Sequence, residues 1–271
     1  MKGPHNLWRL IRTGATFERT GAMRVVLEAM NVPPRLRFVA RVMGWPFAWL
    51  GHKGDPALPP VTRALTALGP AYIKFGQILS TRPDIVGLDL ANQLRYLQDK
   101  LPPFPTAQAR QMIEDALEQP VDTLFSEFSE PVAAASIAQV HRARAAETGA
   151  DVAVKVLRPG IVRAFRRDLD AFYLAAGIIE RFLPSTRRLR PTDVIAHFEG
   201  VVMGELDLRL ETAAAAEFAA NTEADAGFRV PSPVWSLSAR SVMTLGWAEG
   251  VSLGDNAAID ALGVDRIELG E

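Results

Sequence analysis

The spacing of apolar residues changes near Phe128, and this change most limits the folds open to the chain. Before it, leucine and aromatic residues recur every three or four positions, which is typical of amphipathic helices. After it, short stretches alternate between apolar and polar residues, which is typical of strands. The change predicts an α+β fold, in which a helical N-terminal half precedes a small antiparallel sheet with inserted helices.

Residues 4–118 are predicted to be mostly helical, because their apolar residues keep the helical spacing. Proline pairs interrupt this region at Pro33-Pro34, Pro59-Pro60 and Pro102-Pro103. The clearest predicted helix follows Pro60 and carries one apolar stripe: Leu65, Leu68, Tyr72, Phe75, Ile78 and Leu79. Lys74 and Gln77 lie on the same helix but off this stripe.

The second half begins with a loop of small residues that leads into a strand near His141. Asp151–Leu157 is predicted to be the next strand, with Ala153 and Lys155 on one face and three valines on the other. Further predicted elements are helices over 161–182 and 192–221, short strands around 234–235 and 242–245, a loop over 246–250 and a final helix start.

Composition excludes several classes of protein. The chain has 271 residues, of which 48% are apolar, so it can build the core of one large domain or two small ones. The absence of cysteine excludes disulfides, zinc ribbons and thiolate nucleophiles. The formal net charge of −1 argues against a basic nucleic-acid-binding protein. The four histidines lack metal-ligand spacing, and His141 is expected to be a packed or rim residue rather than a metal ligand.

Positive charge is concentrated at the N-terminus, where the chain through Asp55 holds nine cations and three acids. Residues 35–50 combine arginines with Trp45, Phe47 and Trp49, which suits a helix at an anionic lipid interface. Alternatively, these aromatic residues pack onto the chain's own domain. No run approaches the roughly 20 apolar residues of a membrane-spanning helix.

Lysine is rare, with five lysines against 25 arginines. Where arginine is the usual cation, a lysine can indicate a site that needs a compact ammonium group. Asp207 and Glu211 lie four positions apart on a predicted helix, where two like charges destabilise unless cations neutralise them. Lys74 and Lys155 are the candidate cations; a solvated acidic face and a solvent-exposed strand lysine are the alternatives.

Several motifs follow one another between about residues 60 and 252. They are Lys74-Phe-Gly76-Gln77, the alanine-rich loop Ala133–Ser136, the strand Val152-Ala-Val-Lys155, Glu205-Leu-Asp207 and the segment Val242–Gly250. Together they resemble the UbiB/ADCK (aarF-domain) family of atypical kinases. The KxGQ motif and the alanine-rich loop are specific as a pair, although either alone would be weak.

The resemblance implies a protein-kinase-like N-lobe, in which Lys155 contacts ATP phosphates and pairs with Glu211. It implies that Lys74 reaches over the nucleotide pocket toward Glu205 and Asp207. These five residues are the expected catalytic set. The residues expected to bind the nucleotide are Gln77, Ala133, Ala134, Ala135, Ser136, Ala153 and Lys155. No metal site is expected in this chain.

The resemblance also divides the chain. The expected parts are a basic amphipathic helical N-terminus (1–58), a KxGQ helical extension (59–127), the kinase-like N-lobe (128–250) and the start of a truncated C-lobe (251–271). Gly246 stands where the family's hinge usually has an acidic residue. No His-x-Asp catalytic loop and no Asp-Phe-Gly segment occur, so the ligands for Mg²⁺ are expected in the missing C-lobe and this chain alone is expected to be inactive.

The implied function is that of an ATP- and Mg²⁺-dependent kinase or ATPase in ubiquinone (coenzyme Q) biosynthesis, at the cytoplasmic face of the bacterial inner membrane. Its implied partners are the nucleotide, isoprenoid quinone intermediates or the enzymes that make them, and the membrane surface. A non-catalytic membrane scaffold or lipid-binding module is the alternative. A polyprenylphenol hydroxylase component is a third possibility, which would need a flavin or iron site that the sequence does not indicate.

Overall fold

The computed structural model describes residues 4–29, 32–98, 102–182, 188–225, 229–251 and 255–266. It shows the predicted α+β fold, with one small antiparallel sheet among many helices. The helices before the sheet are α1 (Pro4–Thr20), α2 (Ala22–Ala29), α3 (Pro34–Gly44), α4 (Pro60–Leu68), α5 (Pro70–Ser80), α6 (Pro83–Val86), α7 (Leu88–Arg95), α8 (Thr106–Leu117) and α9 (Val121–Leu124). Short 3₁₀ helices cover Trp45–Leu50 and Tyr96–Gln98.

The sheet contains β1 (Phe125–Ala134), β2 (Ala138–Ala145), β3 (Asp151–Leu157) and β4 (Val242–Gly246), in that order and antiparallel throughout. The later helices are α10 (Ile161–Phe182), α11 (Pro191–Glu205), α12 (Leu208–Asn221) and α13 (Asn256–Ala261). Of the expected final segment 251–271, residues 252–254 and 267–271 lie outside the described residues.

Prolines begin several helices as well as separating them. Proline stands at the first position of α3, α4, α5, α6 and α11, where its missing N–H would have no partner within the helix. The single helix predicted after Pro60 is therefore wrong. Gly69 adopts a φ of +116°, which ends α4, and Pro70 then begins α5.

The predicted apolar stripe is divided between two cores. Leu65 and Tyr72 belong to a core shared by α2, α4, α5 and α7, whereas Phe75 and Ile78 pack against a second core beside α10 and α11. The Phe75 ring contacts both Phe172 and Phe198, with ring centroids 5.5 and 5.2 Å apart. Helix α5 therefore joins the N-terminal helices to those that pack on the sheet.

The sheet buries one face of β3, as the alternation predicted. Val152, Val154 and Val156 are almost fully buried and pack with residues of α8 and α9. The strand predicted around 234–235 is wrong, because Trp235–Leu237 forms a 3₁₀ helix and only Pro233 makes an isolated bridge, to Leu245. Strand β1 begins at Phe125, three residues before the predicted change.

His141 is a packed residue, as predicted. It is fully buried in β2 and stacks on the Phe128 ring at 4.5 Å between centroids. The Gln139 amide lies 2.9 Å from His141 Nε2, and the Nδ1 of the ring lies 2.8 Å from the Ser129 carbonyl oxygen. Burial lowers the pKa of His141, so the neutral ring is favoured.

Close packing explains the glycine of the KxGQ motif. A methyl group on Gly76 would lie 2.3 Å from Leu97 Cδ1 and 2.7 Å from Leu65 Cδ1. Both neighbours are buried side chains of the first core, so neither has free space to move into. Gln77 adds a hydrogen bond at the same contact, because its Nε2 donates to the Leu97 carbonyl at 2.7 Å.

We expect Gly76→Ala to lower the free energy of unfolding by about 1–3 kcal/mol, because the added methyl overpacks this contact. The matched control is Gly200→Ala in α11, where an added methyl meets no atom within 4 Å. The control should leave stability unchanged or raise it by up to about 1 kcal/mol, through the higher helix propensity of alanine. Denaturant unfolding of both variants measures the difference, and equal effects would contradict the packing argument.

Candidate functional site

Lys155 lies in the middle of the sheet. It is opposite Val140 of β2 and Met243 of β4, so strands on both sides fix its backbone. Its Nζ is 2.6 and 2.7 Å from the two carboxylate oxygens of Glu211, in the first turn of α12. This is the ion pair that the resemblance implied, and it joins residues 56 positions apart.

A second lysine faces the same region from α5. Lys74 Nζ is 2.6 Å from Glu205 Oε2, at the C-terminal end of α11. Lys74 keeps 19% of its side-chain surface exposed and Lys155 keeps 27%. Partly solvated ion pairs of this kind typically contribute about 0–1 kcal/mol to stability. Stabilisation of the fold is therefore a weak reason for placing two lysines here.

The two ion pairs line one cleft, with a volume of about 740 Å³. Eight residues predicted for the site line it: Lys74, Gln77, Ala134, Ala135, Ser136, Lys155, Glu205 and Glu211. Lining residues that the sequence reasoning missed are Ile137, Ala138, Val201, Gly204 and Leu210. Among these, Val201 lies one helical turn before Glu205, four positions away, and this spacing was the available signal.

The alanine-rich loop forms a turn between β1 and β2, called the alanine-rich turn below, which covers part of the cleft. A hydrogen bond within the turn and the side chain of Arg158 hold it in place. The Ala135 N–H donates to the Ala138 carbonyl at 2.8 Å, which closes the turn between β1 and β2. Arg158, just after β3, donates from Nε and Nη2 to the Ala135 carbonyl at 3.1 Å each. Ala133, which pairs with Val140 in the sheet, does not line the cleft.

The predicted position of Asp207 on a helix face is wrong. Asp207 has extended backbone angles, φ −122° and ψ 92°, and caps α12 by accepting a hydrogen bond from the Arg209 N–H. The predicted helix 192–221 is therefore two helices, α11 and α12. The Arg209 side chain also donates to the Asp207 carboxylate, at 2.8 and 2.6 Å, and Arg240 lies 3.7 Å from it.

Asp207 is thus neutralised by arginines and does not line the cleft. The hydrogen bonds from Arg209 hold the pKa of Asp207 below its ordinary value. Lys74 was expected to reach toward both Glu205 and Asp207, but it pairs only with Glu205. Ala153 lies on the same face of β3 as Lys155, between Arg142 and Leu245, but outside the cleft lining.

In this site, a lysine of a small antiparallel sheet pairs with a glutamate of a following helix, beneath a turn between the first two strands. This arrangement defines a protein-kinase-like N-lobe. The model of the ABC1 atypical kinase-like domain matches residues 96–271. The chain therefore belongs to this family of UbiB-like atypical kinases.

The relatives carry the same family assignment. A probable protein kinase UbiB from Marinobacter nauticus is 43% identical over 209 residues, which are 77% of this chain and 38% of that protein. The protein of that name from Azotobacter vinelandii is 40% identical over 264 residues, 97% of this chain and 49% of the relative. This chain spans about half the length of the Azotobacter relative, or less than half of the Marinobacter one.

A solved structure shares the fold. The complex of Rv3197 with erythromycin, from Mycobacterium tuberculosis, matches with a TM-score of 0.50 and 30% identity. The match covers 69% of this chain and 46% of that protein. Within the described ranges, no helix combines the length and the apolar character that crossing a membrane requires.

Proposed function

We propose that the cleft binds the phosphates of ATP, and that the protein is a kinase or ATPase of ubiquinone biosynthesis. The observation that carries this proposal is the Lys155–Glu211 ion pair inside a cleft of about 740 Å³ beneath the alanine-rich turn. That volume falls within the roughly 300–1,000 Å³ typical of small-molecule sites. Family membership supports phosphoryl transfer as the chemistry.

Each charged residue of the cleft has a proposed task. Lys155 holds the α- and β-phosphates, and Glu211 orients its ammonium group. Lys74 adds a second ammonium to the cleft lining and is held there by Glu205. ATP supplies the phosphoryl group, with Mg²⁺ neutralising its charge. Among the described residues, no group of three His, Asp or Glu side chains could hold a metal ion. We propose that the Mg²⁺ ligands lie in the part of the relatives that this chain does not match.

The alanine-rich turn is proposed to cover the phosphates. Its Ala135 N–H already donates to Ala138, so this donor is used within the turn. The turn therefore contributes shape more than hydrogen bonds, and the two lysines supply the attraction for phosphate. Alanine also restricts backbone angles that glycine would allow, which favours a fixed turn at this position.

We expect Lys155→Ala to weaken ATP binding at least tenfold, because it removes the ammonium at the centre of the cleft. A tenfold loss corresponds to about 1.4 kcal/mol. Titration with a fluorescent ATP analogue, on the longest expressed form of the protein, measures the effect. The matched control is Lys53→Ala, which removes an exposed lysine outside the cleft lining. Equal affinities for the two variants would contradict the proposal.

A peripheral membrane scaffold is the second candidate function, and a specific observation favours it. The three aromatic side chains of the 3₁₀ helix Trp45–Leu50 are exposed: 76% for Trp45, 52% for Phe47 and 73% for Trp49. The alternative in which these rings pack onto the chain's own domain is therefore wrong. Exposed Arg35 and Arg41 lie on α3, in the same segment 35–50.

The two functions are compatible, because the aromatic segment and the cleft share no residue. The segment would hold the protein at an anionic bilayer, which we propose to be the cytoplasmic face of the bacterial inner membrane. At that surface the protein would meet isoprenoid quinone intermediates or the enzymes that make them.

We expect the double variant Trp45→Ala/Trp49→Ala to bind vesicles of anionic lipid several-fold more weakly than the unaltered protein. The control is Trp235→Ala, which removes another exposed indole, 56% accessible, from the 3₁₀ helix before β4. Co-sedimentation with vesicles measures binding. A loss of similar size in the control would show that the segment has no special role.

A further inference from the structure

A second cavity, of about 480 Å³, lies where the end of β3 meets the first turns of α10. Four arginines line it: Arg158, Arg163, Arg166 and Arg167. Asp170 is its single acidic lining residue. Its lining residues and those of the Lys155 cleft do not overlap. The inference below is therefore independent of the proposed function.

The arginines of α10 are placed unfavourably for the helix itself. Arg163, Arg166 and Arg167 are separated by three and four positions, so the like charges share a face. Such pairs destabilise a helix by a few tenths of a kcal/mol each. Within the described part of the chain, none of the three lies within 4 Å of a carboxylate oxygen. These three guanidinium groups therefore make no direct ion pair with a described carboxylate, although Asp168 attracts Arg167 at longer range and Asp170 lies in the same lining.

Arg158 is held in place by hydrogen bonds and a ring contact. Its Nε and Nη2 donate to the carbonyls of Ala135 and Pro102, and its guanidinium lies 5.6 Å from the centre of the Phe104 ring. Its Nη1 donates to no described residue. Burial lowers the pKa of Arg158, which means that the surroundings destabilise a charge that arginine nevertheless keeps.

Four apolar residues contribute to the lining, beside Gly160, Asp170 and Ser241, and they strengthen electrostatic attraction there. Leu157 and Ile161 are buried, while Met112 and Val162 are half-buried. Charges next to such a surface are less screened than charges surrounded by water. A ligand that matches this site must carry several negative charges in a small volume, in a geometry that guanidinium groups can bind in pairs.

We propose that this cavity binds a phosphoryl group, and that a compact diphosphate fits it best. Planar guanidinium groups bind phosphate oxygens through paired hydrogen bonds, and four of them surround one small space here. The ligand is either a soluble phosphate compound or the phosphorylated headgroup of a lipid. Both offer the same chemistry to the arginines.

Calorimetric titration with inorganic pyrophosphate, without Mg²⁺, tests the site. The test variant is Arg163→Gln/Arg166→Gln/Arg167→Gln, in which glutamine keeps the helix propensity. The matched control, Arg24→Gln/Arg95→Gln/Arg181→Gln, removes three exposed helical arginines that make no ion pair with a described residue. We expect the unaltered protein and the control to bind pyrophosphate, and the test variant to bind at least tenfold more weakly.

A further variant separates this site from the cleft. Lys155→Ala should retain binding of pyrophosphate to the arginines. If Lys155→Ala abolishes binding while the triple arginine variant retains it, the anion occupies the cleft and the arginine site is refuted, although the proposed function stands. Absence of binding to the unaltered protein, or equal losses in the test and control variants, would also overturn the inference.

Vesicles containing phosphatidic acid distinguish the source of the phosphate. Loss of both pyrophosphate and vesicle binding in the test variant supports a lipid headgroup as the ligand. Loss of pyrophosphate binding alone supports a soluble phosphate compound.

Discussion

The candidate site depends on the packing of α5 between two cores. One side of this helix packs against the N-terminal helices, where Gly76 allows close contact with Leu65 and Leu97. The other side places Phe75 against Phe172 and Phe198. Because both sides are buried, the helix has little freedom to rotate, and Lys74 is held toward the cleft. The KxGQ motif thus places Lys74 and Gln77 in the cleft lining, while the close contact at Gly76 and the hydrogen bond from Gln77 to Leu97 secure the helix.

Charge in the cleft follows a different logic from charge elsewhere in the protein. Arginines neutralise the acidic groups that have structural roles, such as Asp207 at the start of α12. Lysines pair with the two glutamates that line the cleft. A compact ammonium can exchange a carboxylate for a phosphate without the fixed planar geometry that a guanidinium imposes. The rarity of lysine in the sequence is consistent with this division.

The sequence predicted those features that depend on regular spacing. The faces of β3 and the bounds of α10 were predicted in this way, whereas the pairing of Lys155 with Glu211 was implied by the family resemblance. Features that depend on competition between neighbouring residues, such as a helix break or the choice of an ion-pair partner, were not predicted. The apolar stripe continues across Gly69, so the stripe did not indicate the break between α4 and α5. Asp207 is neutralised by Arg209, which lies two positions along the chain, rather than by a distant lysine. Strand β1 escaped prediction because its register shifts repeatedly against β2, which disrupts the alternation that indicates a strand.

The central claim is that the ammonium groups of Lys155 and Lys74 lie beside the phosphates of a bound nucleotide. An acyl-phosphate derivative of ATP transfers its acyl group to lysines that adjoin the bound phosphates, and only five lysines are present to react. Mass spectrometry after such labelling gives the most direct test. The account predicts acylation of Lys155 and Lys74, suppressed by excess ATP, with Lys53 unlabelled or labelled regardless of ATP. Labelling of Lys155 and Lys74 that ATP does not suppress, or no labelling of either, would contradict it.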